Sequence, residues 1–192
     1  EDSRDLVRTL ACVLQKLVDV NRKLDSPGAQ VITKFHASQS PGISISDYLE
    51  RINKYASCST ECLVLALIYV DRLIQQSNFA LTSLNVHRVI ITSVMLAAKF
   101  FDDQYFNNKY YAKVGGVPCK EINSLEVEFL FLVNFSLHVT EEVYYRYFSE
   151  LMNHAANSAC PCCAGGRVAR IVSSPAYPLP RYGEHGHPAS PV

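Results

Sequence analysis

Two stretches of this chain would give a helix almost no polar face. Cys62 to Val70 is apolar or aromatic throughout, and apolar residues dominate again from Leu84 to about Phe101. A helix apolar nearly all round is stable in water only when other elements surround it. The rest of the sequence supplies those surroundings. Leu6, Leu10, Val13, Leu14, Leu17, Val20 and Leu24 recur at three- and four-residue steps, one face of an amphipathic helix that Ser26-Pro27-Gly28 would stop. Ile45, Tyr48, Leu49, Ile52 and Tyr55 share a side of a second helix, behind a capping-box pattern at Ser44-Ile45-Ser46-Asp47. Ser59-Thr60-Glu61 starts the first apolar helix. A short helix is predicted over Lys109 to Val114, closed by Gly115-Gly116. Pro118 suits the first turn of the next, which runs to about Asn134 with Ile122, Leu125, Phe129 and Val133 inward. Thr140-Glu141-Glu142 begins a last helix carrying Val143, Tyr144, Tyr147, Phe148 and Leu151. No segment of useful length alternates at the strand period, so the fold class is all-α.

The segment from Ala29 to Gly42 is polar and mixed, a connector with Phe35 as its aromatic anchor. Six of the nine prolines and four of the eight glycines lie beyond Ser158, among few aliphatic residues. Such a composition cannot bury enough apolar surface to offset its ordering entropy, so residues 155–192 are expected to be disordered.

Lys+Arg and Asp+Glu balance at 18 each, and no run of basic residues forms the stripe that a nucleic-acid binder carries. The longest apolar run falls short of the roughly 20 residues of a membrane span. No leader pattern opens the sequence, so no signal peptide is expected. Neither nucleic acid nor membrane is therefore an expected partner. Cys12, Cys58, Cys62 and Cys119 fall singly in helical patterns and read as free thiols of a reducing compartment, nucleus or cytoplasm. No phosphate-binding glycine loop, metal motif or nucleophile with a matching base is present. No enzyme active site and no cofactor are expected. His154, Cys160, Cys162 and Cys163, like His185 and His187 beyond them, lack the spacing of a zinc site, so no metal is expected.

Lys99 ends a long apolar stretch, and Glu126 sits inside a second apolar helix 27 residues later. Charges persist in such places when they are paired or face a partner. Glu126 falls near the rim of its helix's apolar face, where an interface polar group belongs; Glu121 and Glu128 read as exposed positions of the same helix. The order Tyr69-Val70-Asp71-Arg72, Leu96-Ala97-Ala98-Lys99-Phe100, then Leu125-Glu126 with Phe135 nine residues on, resembles the cyclin box. Asp47-Tyr48-Leu49-Glu50-Arg51-Ile52 and Asn85-Val86-His87-Arg88 resemble more closely the Pho-type cyclins, especially the plant P/U-type group.

The resemblance implies one cyclin box of five helices over residues 43–137, an N-terminal helix and connector over 1–42, and a C-terminal helix over 138–154. It implies a regulatory subunit that binds and activates a cyclin-dependent protein kinase, with cell-cycle control or phosphate signalling as its setting. Lys99 and Glu126 would hold kinase backbone beside the movable C-helix, from one exposed patch where charge reversal weakens binding and leaves stability nearly intact. Where mitotic-type cyclins open the box with a Met-Arg pair, this chain has Pro41-Gly42, so their substrate groove is not expected. Asp71 loses its usual arginine and is expected to hold the box together, with Arg88 as a candidate partner. A cyclin-fold adaptor in transcription is the alternative. Four Ser-Pro dipeptides occur, of which Ser174 and Ser190 are candidate phosphorylation sites; Ser26 and Ser40 read as turn signals.

Overall fold

A computed structural model of the chain describes residues 2–25 and 31–157, and among these there are helices and no strand. The helices are α1 (Asp2–Val20), α2 (Ile45–Ala56), α3 (Thr60–Ser77), α4 (Val86–Phe101), α5 (Asn108–Gly115), α6 (Cys119–Leu132) and α7 (Glu141–Asn157). Helices α2 to α6 are the five of the expected box, with α1 before and α7 after them. The readings made for Ser26, for the cysteines Cys160, Cys162 and Cys163, for His185 and His187, and for Ser174 and Ser190 lie outside the described residues.

The two apolar helices are central. Every residue from Cys62 to Val70 is buried in α3, and every residue from Val86 to Ala98 except Arg88 is buried in α4. Among the described residues these two helices pack most extensively, and α1, α2, α6 and α7 surround them. Helix α1 buries Leu6, Val7, Leu10, Ala11, Leu14 and Val18. It gives way after Val20 to a 3-10 turn at Arg22–Asp25, which leaves Val20 exposed instead of in the expected stripe. In α2, Ala56 takes the buried position expected of Tyr55, whose ring is exposed. Phe35 anchors the connector, fully buried with its ring edge-on to Phe79 and Phe129 at 5.8 and 6.0 Å.

Local chemistry sets the helix starts. Ser44 caps α2 by accepting the Asp47 amide, and Ser59 caps α3 by accepting the Cys62 amide at 3.0 Å. The Ser59 hydroxyl also donates to Asp102 at 2.6 Å, which ties the start of α3 to the end of α4. Asn107 caps α5, and Gly116 ends it with φ +70°, a left-handed conformation that glycine adopts without penalty. Gly115 is set by space: a Cβ there would come within 2.7 Å of Ile91 Cγ1. Its carbonyl accepts the Tyr48 hydroxyl at 2.9 Å, so α5 sits against both α2 and α4.

Candidate functional site

The last turn of α4, the first residue of α5 and the middle of α6 converge on one polar cluster. Lys99 Nζ donates to Glu126 Oε1 at 2.5 Å and to Asn108 Oδ1 at 3.0 Å. The Asn108 amide nitrogen donates to Glu126 Oε2 at 2.7 Å and to Asn123 Oδ1 at 2.8 Å. The Lys99 side chain is 31% exposed and that of Glu126 17%. Each group thus bonds the other while keeping an edge open to solvent. The expected patch is not a pair of bare charges but a closed network.

Asn108 is the residue that sequence reasoning missed. The available signal was the Asn107-Asn108 dipeptide at a helix start, where a single asparagine suffices for the cap. Asn107 takes that role by accepting the Tyr110 amide at 3.0 Å, which leaves Asn108 to bridge the charges. Two other readings of α6 are corrected. Glu121 pairs with Arg88 of α4, and Glu128 pairs with Lys34 of the connector at 3.3 Å, so neither is simply a solvated position.

Asp71 does not meet Arg88, because Arg88 is taken by Glu121. Its carboxylate instead accepts the Gln75 side chain at 2.7 Å and the Tyr147 hydroxyl. Burial, together with the hydrogen bond and the charge of Asp71, pushes the Tyr147 hydroxyl up to about 12. The neighbours of Asp71 act alongside it. The Tyr69 hydroxyl donates to the Leu137 carbonyl at 2.9 Å, and Arg72 donates to the Ser136 carbonyl at 2.6 Å. Together Tyr69, Asp71 and Arg72 clasp the segment after α6 and the helix α7 that follows it.

That clasp holds an unusual turn. Asn134 and Phe135 both have positive φ, 50° and 55°, and the Phe135 amide bonds back to the Leu130 carbonyl at 2.8 Å. A bulky residue in the left-handed region is a genuine outlier, and such strain concentrates at functional positions. Phe135 is 57% exposed and Phe131 67%, their rings edge-to-face at 5.2 Å. Val127 and Phe100 are exposed as well, so apolar side chains border the polar cluster along α6 and at the end of α4. His154, considered above as a ligand, lies 3.4 Å from both Cys12 and Lys16 at the seam of α7 and α1.

A sequence model of the family described as Cyclin matches residues 9–137. This chain belongs to the cyclin family. The cyclin is 47% identical over 150 residues to Cyclin-U4-1 of Arabidopsis thaliana, a match covering 76% of the chain and 74% of that relative. It is 49% identical over 128 residues to Cyclin-U3-1 of the same plant, covering 67% of the chain and 57% of the relative. Against Cyclin-P3-1 of Oryza sativa subsp. japonica the figures are 47% over 137 residues, with 71% and 56% covered. The cyclin is thus of the plant P/U type, with the regulatory role of its family. Among its described residues no helix is long and apolar enough to cross a membrane.

Proposed function

We propose that this cyclin binds a cyclin-dependent protein kinase and activates it by holding the kinase C-helix in the active position. It acts as a regulatory subunit and not as an enzyme, in the nucleus or cytoplasm. The observation that carries this reading is the Lys99–Glu126–Asn108 cluster, bordered by exposed Phe100, Val127, Phe131 and Phe135. Lys99 supplies N–H donors and Glu126 carboxylate acceptors for one stretch of partner backbone, and the phenylalanines supply apolar area for a helix packed beside it. Hydrogen bonds to charged groups contribute about 1.5–3 kcal/mol each when desolvated. A partner that binds only the inward C-helix shifts the kinase population towards the state in which its ATP-site lysine is paired.

The test is to identify the co-purifying kinase with the full chain as bait and then measure its affinity for surface variants. Lys99→Glu should weaken binding by about tenfold to several hundredfold. The swap Lys99→Glu with Glu126→Lys rebuilds the internal ion pair with reversed polarity, and should bind as poorly while folding like the parent. Parent-like affinity in the swap would overturn this docking surface.

A further inference from the structure

Helices α1, α3 and α7 leave an open cleft of about 320 Å³ between them. Val13 and Leu17 of α1, Leu67 and Val70 of α3 and Leu151 of α7 give it an apolar floor. Asp71, Glu150, Tyr147 and His154 supply its polar lining, and Glu150 is exposed. Both bonds of Asp71, to Gln75 and Tyr147, use Oδ2, so Oδ1 can still accept. Among the described residues no lysine or arginine lines the cleft. Lys16 meets His154 at 3.4 Å, and Arg146 lies over the Tyr147 ring. The cleft is thus apolar below and negative at its rim, which suits a segment that carries aliphatic and cationic side chains together.

The chain itself contains such a segment. Beyond Ser158, three of the five Val, Ile and Leu residues and two of the three arginines fall in Arg167-Val168-Ala169-Arg170-Ile171-Val172. We propose that residues 167–172 dock in this cleft of their own chain, with Val168 and Ile171 on the apolar floor and Arg167 and Arg170 against Glu150 and Asp71. The composition that denies the C-terminal region a core of its own is no obstacle, because the folded helices supply the apolar surface. The spacing fits as well: at three residues per turn, Arg167 and Arg170 share one edge and Val168 and Ile171 the next. Distance allows it. Arg167 is ten residues beyond Asn157, a reach of up to about 35 Å, whereas Glu150 lies seven residues back along α7, about 10 Å. A short tether gives an effective concentration on the order of a millimolar. A contact with a Kd of about 0.1 mM between separate molecules would therefore be closed about nine-tenths of the time. The cleft shares no residue with the Lys99–Glu126–Asn108 cluster, so docking leaves that patch uncovered.

The test needs no kinase, so it stands or falls apart from the proposed function. Beyond Arg146 the trypsin sites are Arg167, Arg170 and Arg181, two inside the segment and one outside it. The folded full chain, kept reduced, is digested briefly and its products weighed over time. A synthetic peptide of residues 158–192 gives the intrinsic rate at each site. Relative to Arg181 and to that peptide, cleavage at Arg167 and Arg170 should be slowed about tenfold. Ile171→Asp, scored at Arg167, should abolish most of that protection, and Glu150→Gln should reduce it about threefold, with helical content unchanged in both. Equal relative rates in chain and peptide would overturn the proposal, as would protection that neither substitution changes. Protection that fades on dilution would assign the cleft to a second copy of the chain and overturn it too.

Discussion

Lys99 and Glu126 were legible as charges out of place in apolar helices and were expected to share one patch, yet their direct bond to each other was not. In the folded chain they satisfy one another, and Asn108 bridges both. The consequence is a stability term that the rim positions alone did not suggest. Glu126→Lys leaves Lys99 facing a like charge and Asn108 without one of its acceptors. It should lower unfolding stability by about 1–3 kcal/mol, and the double swap should recover most of that loss. Chemical denaturation of the singles and the double decides it; singles as stable as the parent would show that the network contributes nothing. Phe135 gives a prediction of opposite sign. Its left-handed backbone costs about 1–2 kcal/mol for a residue with a Cβ, and glycine removes that cost. Phe135→Gly should therefore unfold at an equal or higher temperature while binding the kinase more weakly. A lower melting temperature with intact affinity would place Phe135 in the fold and not in the interface.

Helix starts follow from nearest neighbours, which is why Ser44 and Ser59 could be read as caps, and Pro118 placed at a helix start, from sequence alone. What the caps do beyond their own helix is tertiary. Ser59 also bonds Asp102, a residue 43 positions away, so Ser59→Ala should remove a cap and a buried-edge clasp together. Gly115 is similar: its sequence signal is a helix end, but its reason is the approach of α5 to Ile91. Ile91 is fully buried and has little room to move. Gly115→Ala should overpack the junction and destabilise by about 1–3 kcal/mol, read as a lower urea midpoint. An unchanged midpoint would mean that α5 shifts freely on α4, contrary to the contact seen.

At the scale of the whole molecule, histidines sit at three of its seams. His87 of α4 is linked through Nε2 to the Ile43 carbonyl at 2.9 Å, which leaves its buried Nδ1 without a partner. Burial, aided by the charge of Arg88, lowers the His87 pKa; burial also lowers His36 in the connector, and burial and then Lys16 lower His154 on α7. Each group has a folded-state pKa below its unfolded value near about 6.5, so between the two the unfolded chain binds more protons. Their contribution is present above about pH 6.5 and is lost as pH falls through the folded values. The urea midpoint should therefore drop between about pH 7.5 and pH 5.5, and His87→Gln, which keeps a donor for Ile43, should flatten that slope. An identical slope in the variant would remove His87 from the account. The all-helical class, the order of the helices and their inward faces were determined by sequence, because periodicity and capping act within a few residues. Tertiary structure alone decided that Arg88 meets Glu121 and not Asp71, that Asp71 secures α7, that Tyr55 is exposed, and that Asn108 joins the charged pair. Those choices depend on which helix faces come together once α3 and α4 are covered, a global packing solution that no local window of sequence contains.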